Sequence, residues 1–201
     1  MDKTDAKTLK TTVHPRWFGL CQQSGRMGET NDCTVKSVAL ALGIPYRVAN
    51  ARMAVAGRRP RKGVNFEKVT RGVLCGSPYT RLEQVIVSGW LPSPLSISEH
   101  QWTTDFGGWN FSAGSLNPGR TPRYTNPDFP WAEKCKTVIG WQRYAPKEGT
   151  WIIRTSHHIL CVKDGLVGDW TAGRNHRIKA AYRVDNAPAW PEKNLQEFDT
   201  V

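Results

Sequence analysis

The sequence predicts an α+β domain, with helices in the amino-terminal half and an antiparallel sheet in the carboxyl-terminal part. Two observations carry that expectation. From Asn31 to Ile86 apolar residues recur at helical spacing, punctuated by Gly and Pro. From Trp151 onward, β-branched and aromatic residues flank Asp164-Gly165, a strong two-residue hairpin signal. Helices first and strands second make the α+β pattern. A chain of 201 residues is long enough for one sizeable core, so one domain over 1–201 is the default.

Taken in order, residues 1–12 are polar and read as a loose arm. Asn31-Asp32 precede Val35, Val38, Ala39 and Leu42 at i, i+3, i+4, i+7, with Gly43 as the stop. Pro45 opens a second helix whose apolar face is Tyr46, Ala49, Met53 and Ala56, ended by Gly57. Asn65 caps a third through Phe66, Val69 and Val73, and Thr80 a short fourth through Leu82, Val85 and Ile86. Residues 88–131 form an irregular excursion with Trp90, Trp102, Trp109, Trp131 and six of the 13 prolines. Such a segment is expected to fold its tryptophans back onto the core, to wall a cleft, or to meet a partner. Trp151 to Thr155, His158 to Val162 and Leu166 to Trp170 then read as strands, and Ile178 to Val184 as a further one.

Lys plus Arg number 28 against 17 Asp plus Glu, a net charge of +11. That balance attracts polyanions, including nucleic acid, anionic lipid and the bacterial cell wall. The densest cluster, Arg58-Arg59-Pro60-Arg61-Lys62 between Gly57 and Gly63, reads as a solvated loop. No zinc finger, helix-turn-helix signature or aromatic-basic repeat accompanies the charge, so nucleic acid is not the expected main partner. No apolar run approaches the roughly 20 residues of a membrane span, and no signal peptide precedes the first helix. Synthesis in a cytoplasm is the expectation, the host cytoplasm if the protein is viral. The five cysteines (Cys21, Cys33, Cys75, Cys135, Cys161) are odd in number and scattered, which suggests neither a metal site nor a disulfide framework.

Cys33 alone of the five opens a helix, where free backbone N–H groups and the helix dipole favour a thiolate. Cys161 falls mid-strand, Cys75 at a helix end, and Cys21 and Cys135 in irregular sequence. The base follows from register. If Asp164-Gly165 is the turn, Val162 faces Val167 and Leu160 faces Asp169, so His158, Leu160 and Asp169 share a face. A slip of one residue favours His157 instead, which stands as the alternative base.

Asn31-Asp32-Cys33-Thr34-Val35 at a helix start resembles the nucleophile motif of papain-like cysteine peptidases. It is similar to the Asp-Cys helix start of NlpC-type cell-wall peptidases and the Cys-Thr of CHAP amidases. Small bacteriophage proteins of this type combine an Asp-Cys-Thr helix with a Gly-Thr opening a strand, here Gly149-Thr150, and a Gly-His strand. The resemblance covers about residues 29–57 and 137–171, in the chain order Cys, His, Asp. It implies a papain-like fold and a thiol protease or amidase with Cys33, His158 and Asp169 catalytic and no metal or organic cofactor. This chain departs from the pattern in having His157 where the family has Gly. It also lacks a glutamine at the usual spacing before Cys33, which leaves Asn31, Gln22 and Gln23 as candidate oxyanion donors. The substrate implied is a peptide, a protein or a cell-wall peptide. The rival reading is a catalytically idle papain-like module, an interaction component of a larger assembly such as a bacteriophage particle (a virion component).

Overall fold

A computed structural model describes residues 13–74, 81–88, 110–111 and 123–185. The expected arm over 1–12, together with Cys75, Thr80, Trp90, Trp102 and Trp109, lies outside them. Val13 bridges Val167, and the His14 amide donates to the Val167 carbonyl at 2.8 Å. Helix α1, Arg16–Arg26, follows where the sequence suggests none. Trp17, Leu20, Cys21 and Ser24 stand at i, i+3, i+4, i+7 along it, and Leu20 and Ser24 are buried. Two interior glycines, Gly19 and Gly25, disguise that face, since Gly is a poor helix former.

The next three helices form where their local signals place them. Helix α2, Cys33–Leu42, buries every residue except Cys33 and Lys36. It stops at Gly43, whose φ of 64° suits a residue without a Cβ. Pro45 precedes α3, Tyr46–Val55, and Gly57 ends its run with φ 90°. The Asn65 Oδ1 accepts from the Lys68 amide at 3.0 Å and caps α4, Phe66–Leu74.

The expected fourth helix is instead strand β1, Arg81–Ser88. Leu82, Val85 and Ile86 have helical spacing, but the register shifts between Gln84 and Ile86, and consecutive Val85 and Ile86 are both fully buried. Such an irregularity breaks the period of two that a strand normally shows, which is how a strand comes to look helical. Pairing with a distant strand decides the outcome over local propensity.

All strand pairs are antiparallel, in the order β2-β3-β1-β7-β4-β5-β6. The strands are β2, Asn110–Phe111; β3, Arg123–Thr125; β4, Thr150–Arg154; β5, Ile159–Lys163; β6, Leu166–Val167; and β7, Ala180–Asp185. Asp164 and Gly165, with φ 49° and 77°, form the turn between β5 and β6 and fix Lys163 opposite Leu166 and Val162 opposite Val167. The return strand is shorter than the sequence suggests. The Gly168 amide still donates to the Cys161 carbonyl at 2.7 Å, and the chain then turns at Asp169.

The sheet carries a core on each face. Ile152, Ile159, Cys161 and Val184 meet α1 to α4 on one side. Trp151, Ile153, Leu160 and Val162 meet a 3-10 helix, Pro130–Lys134, and helix α5, Val138–Tyr144, on the other. The sheet is therefore sandwiched, and helices flank it on both faces rather than only the amino-terminal one. Trp131, the one described tryptophan of the 88–131 excursion, packs edge-on against Trp141 and Trp151 at 5.1 and 5.3 Å. It folds back onto the core and does not wall the cleft beside Cys33. Full burial of side chains such as Trp141 and Ile153 contributes about 1.5–3 kcal/mol each. No helix among the described residues is long and apolar enough to cross a membrane.

Candidate active site

Cys33 is the first residue of α2, so its own amide and that of Thr34 have no partner within the helix. The approach to it is braced. Asn31 adopts φ 51°, a left-handed conformation that Asn tolerates better than most residues. Glu29 just before it pairs with Arg58 at 2.8 Å and accepts from the Arg61 amide at 2.9 Å. Arg58 also donates to Asn50 at 2.8 Å. The basic cluster is therefore only partly the solvated loop that the sequence suggests: Arg58 is 6% exposed, and its partner Glu29 keeps it inside. Arg59, Arg61 and Lys62 are exposed.

Asp32 stands at the N-cap position but makes no side-chain cap bond. Its buried carboxylate instead accepts from Ser24 at 2.5 Å, Tyr46 at 2.7 Å and Lys36 at 2.8 Å. Three helices, α1, α2 and α3, are thereby pinned behind the cysteine. Burial alone would raise the Asp32 pKa, but the hydrogen bonds from Lys36, Ser24 and Tyr46 and the charge of Lys36 outweigh it and hold the carboxyl below its ordinary value. The Ser37 hydroxyl lies between the carbonyls of Cys33 at 2.8 Å and Ile159 at 3.2 Å, seating α2 on the start of β5.

That seating brings His158, the residue just before β5, to Cys33. The Thr155 amide donates to the His158 carbonyl at 2.8 Å and closes the turn that presents the ring. His158 Nε2 is hydrogen-bonded to Asp169 Oδ2, which leaves Nδ1 for the thiol. Asp169 is 1% exposed, and its other oxygen accepts from the Thr171 amide at 2.6 Å and from the Thr171 hydroxyl. The structure thus brings Cys33, His158 and Asp169 together in one line of contacts. His157 is exposed in the preceding turn and takes no part in that line.

Burial pushes the Cys33 thiol up, but the hydrogen bond with His158, the Ile159 amide, the His158 charge and the Thr34 amide outweigh it. The thiol ends below its ordinary value. For His158 burial works downward, and the hydrogen bonds to Asp169 and Cys33, with their charges, raise the imidazole to about 9. Opposite shifts on the two groups favour a thiolate–imidazolium pair over the neutral pair. Burial pushes Cys161 up to about 12 and raises Cys21 as well.

The pair lies in an open cleft of about 670 Å³. Trp17, Asn31, Lys36, Phe66, Arg154 and Trp170 are among the residues that line it. Half-exposed Trp170 places its ring 5.2 Å from that of His158, while Lys36 stands 5.3 Å from the Trp17 ring. Of the three oxyanion candidates, Asn31 lines the cleft, and its Nδ2 makes only a long 3.4 Å contact with the Arg61 carbonyl. Gln23 is occupied elsewhere: its Oε1 accepts from the Tyr46 amide at 3.0 Å and caps α3. Gln22 is an exposed residue of α1 outside the cleft lining. Among the described residues no cluster of three His, Cys, Asp or Glu is placed to hold a metal ion.

Sequence reasoning missed the bracing groups Glu29, Arg58 and Tyr46 and the cleft residues Trp17, Lys36, Arg154 and Trp170. The period of Trp17, Leu20, Cys21 and Ser24 could have revealed α1, but nothing local reports that Arg58 is buried. Comparison of the chain with family models, curated proteins and solved structures gives no match in any of the three.

Proposed function

We propose that the protein is a papain-like cysteine hydrolase, a peptidase or amidase that cleaves an amide bond by acyl transfer. The observation that carries this reading is the Cys33–His158–Asp169 line on an open cleft, with the thiol lowered and the imidazole raised. A nucleophile at the start of a buried helix, seated on an antiparallel sheet that carries the His and then the Asp, supports the papain-like arrangement. An idle module would be expected to block the cleft or leave the thiol without a base.

In this mechanism the Cys33 thiolate attacks the substrate carbonyl and forms the C–S bond of a tetrahedral intermediate. The Cys33 amide and Asn31 Nδ2 donate to the oxyanion. His158 gives its Nδ1 proton to the leaving amine as the C–N bond breaks and a thioester remains. His158 then takes a proton from water, hydroxide displaces the thiolate, and the carboxylic acid leaves. Acid–base help of this kind is worth about 10²–10⁴ in rate. Asp169 holds the ring orientation and stabilises its charged form without taking the proton. The substrate would be a peptide, a protein or a cell-wall peptide, the last suiting the net charge of +11.

The test is acyl-enzyme trapping. Wild-type protein and Cys33→Ala are given fluorogenic peptide amides, and the intact mass is read after rapid acid quench. Turnover with an acyl adduct on Cys33, both lost in Cys33→Ala, is the expected result. Turnover that survives Cys33→Ala contradicts the reading.

A further inference from the structure

Arg154 is the last residue of β4 and stands directly opposite Ile159, the residue after the candidate base. Its side chain lies on the sheet face that also carries Ile152, the face of the helical core, and lines the cleft with Cys33 and His158. The backbone is fixed there, since the Arg154 carbonyl accepts from the Lys179 amide at 2.8 Å. The guanidinium stands 5.7 Å from the centroid of the Phe66 ring, which in turn stacks on Tyr182 at 4.8 Å.

The charges of the cleft are otherwise matched. Lys36 is neutralised by Asp32 at 2.8 Å, and His158 is paired with Asp169. Among the described residues Arg154 has no carboxylate partner, and its buried Nε makes no hydrogen bond. A guanidinium kept half-buried without an anion carries a desolvation cost that the Phe66 ring offsets only in part. A bound carboxylate would offset it, through the planar bidentate pairing for which Arg is suited. The neighbouring wall points the same way. Gly63, Val64 and Asn65 line the cleft, and the loop that delivers them carries exposed Arg59, Arg61 and Lys62. A field of that sign raises the local concentration of anionic substrates.

We propose that Arg154 is the specificity residue of this cleft and selects substrates with a carboxylate close to the scissile acyl bond, as an acidic side chain or a free carboxyl terminus. The inference rests on the hydrolase reading and narrows its substrate class to acidic peptides. Phe66 holds the guanidinium plane, and Arg154 pairs with the substrate while Cys33 attacks.

The experiment uses short peptides that carry an internal α,β-unsaturated electrophile in place of the scissile amide, so that the Cys33 thiolate adds and forms a thioether. A Glu probe against its Gln counterpart reports an acidic side chain. A free carboxyl terminus against its amide reports a terminal carboxylate. Labelling rates are read by intact mass on wild type, Arg154→Lys and Arg154→Met, with folding followed by circular dichroism. In wild type one acidic probe labels Cys33 about tenfold faster than its neutral counterpart, as one charge-assisted pair provides. The ratio falls to about one in Arg154→Met and lies between in Arg154→Lys, which keeps the charge and loses the fork. If Arg154→Met does not fold, the wild-type ratio and Arg154→Lys decide. Labelling of Cys33 at equal rates by acidic and neutral probes overturns the role of Arg154 and leaves the hydrolase standing, as does a ratio that persists in folded Arg154→Met. Failure of every probe to label Cys33 removes the hydrolase reading and this inference with it.

Discussion

Cys33 is a thiol that burial alone would keep protonated, and His158 is an imidazole that burial alone would keep neutral. Each is reversed by the other and by what lies behind it: the Ile159 and Thr34 amides on the sulfur, and Asp169 on the ring. The ordinary solvated values therefore do not describe either group. The pH dependence follows with a definite sign. Activity rises as pH climbs through the lowered value of Cys33, because the thiolate forms, and falls as pH passes about 9, where His158 loses the proton that the leaving amine needs. A pH–rate profile of peptide-amide turnover checks both limbs. The same contacts separate the two histidines. His158→Ala is expected to lower turnover by about 10²–10⁴, the usual worth of a positioned acid–base group. His157→Ala should leave most of it, since His157 is exposed and outside the line of contacts. Asp169→Ala also orphans the buried Thr171 amide and hydroxyl, a cost of about 1–3 kcal/mol in thermal or denaturant unfolding. Asp169→Asn keeps an acceptor for them and should be milder in both stability and rate.

The elements around the site are held by groups whose importance is not local. Arg58 ties the loop before Cys33 to α3 through Glu29 and Asn50. Arg58→Met leaves Glu29 with the Arg61 amide and without its charged partner, and urea unfolding should show a loss of about 1–3 kcal/mol. Where α2 crosses the hairpin, a Cβ on Gly168 would stand 2.0 Å from a Leu40 methyl and 3.2 Å from the Cys161 carbonyl oxygen. Gly168→Ala must displace the buried Leu40 side chain and so disturb the packing of α2, which carries Cys33, on the hairpin. It is expected to cost about 1–3 kcal/mol and to slow turnover while iodoacetamide still reaches the thiol. These two positions also mark how far the sequence is legible. The start of α2, the Asn65 cap and the Asp164-Gly165 turn are written in residues next to one another, and they suffice to align Val162 with Val167. The face that the register predicts His158 and Asp169 to share with Leu160 does not form: Leu160 belongs to the core opposite α2, β6 ends at Val167, and the turn after Thr155 is what presents His158 to the cleft. Strand β1 is not legible in this way: Leu82, Val85 and Ile86 have the spacing of a helix, and only pairing with β7 makes them a strand. Nor is the burial of Arg58, which depends on Glu29 reaching it across a loop, or that of Asp32, which looks like a helix cap and serves as an anchor.

Across the whole molecule, the site stands where the two ends of the chain's logic meet: a helix from the amino-terminal third seated on strands from the carboxyl-terminal third. The sandwich of helices about one sheet holds that junction from both faces, and Trp131, Trp141 and Trp151 fill the face remote from the cleft. The net charge of +11 acts at this scale too. Hydrolysis of an acidic peptide amide should slow as salt rises past about 0.1 M, where the screening length falls to about 10 Å, while a neutral peptide amide should change little. The proposed chemistry depends on Cys33 and His158 existing as a thiolate–imidazolium pair. The direct measurement is the rate of Cys33 alkylation by iodoacetamide as a function of pH, read by peptide mass spectrometry beside Cys21 and Cys161. The expected result is alkylation of Cys33 that rises at lower pH than that of Cys21 or Cys161, a second step near 9 as His158 deprotonates, and a shift of the Cys33 rise to higher pH in His158→Ala. A single rise at the ordinary thiol value of about 8.5, unchanged in His158→Ala, would contradict the account.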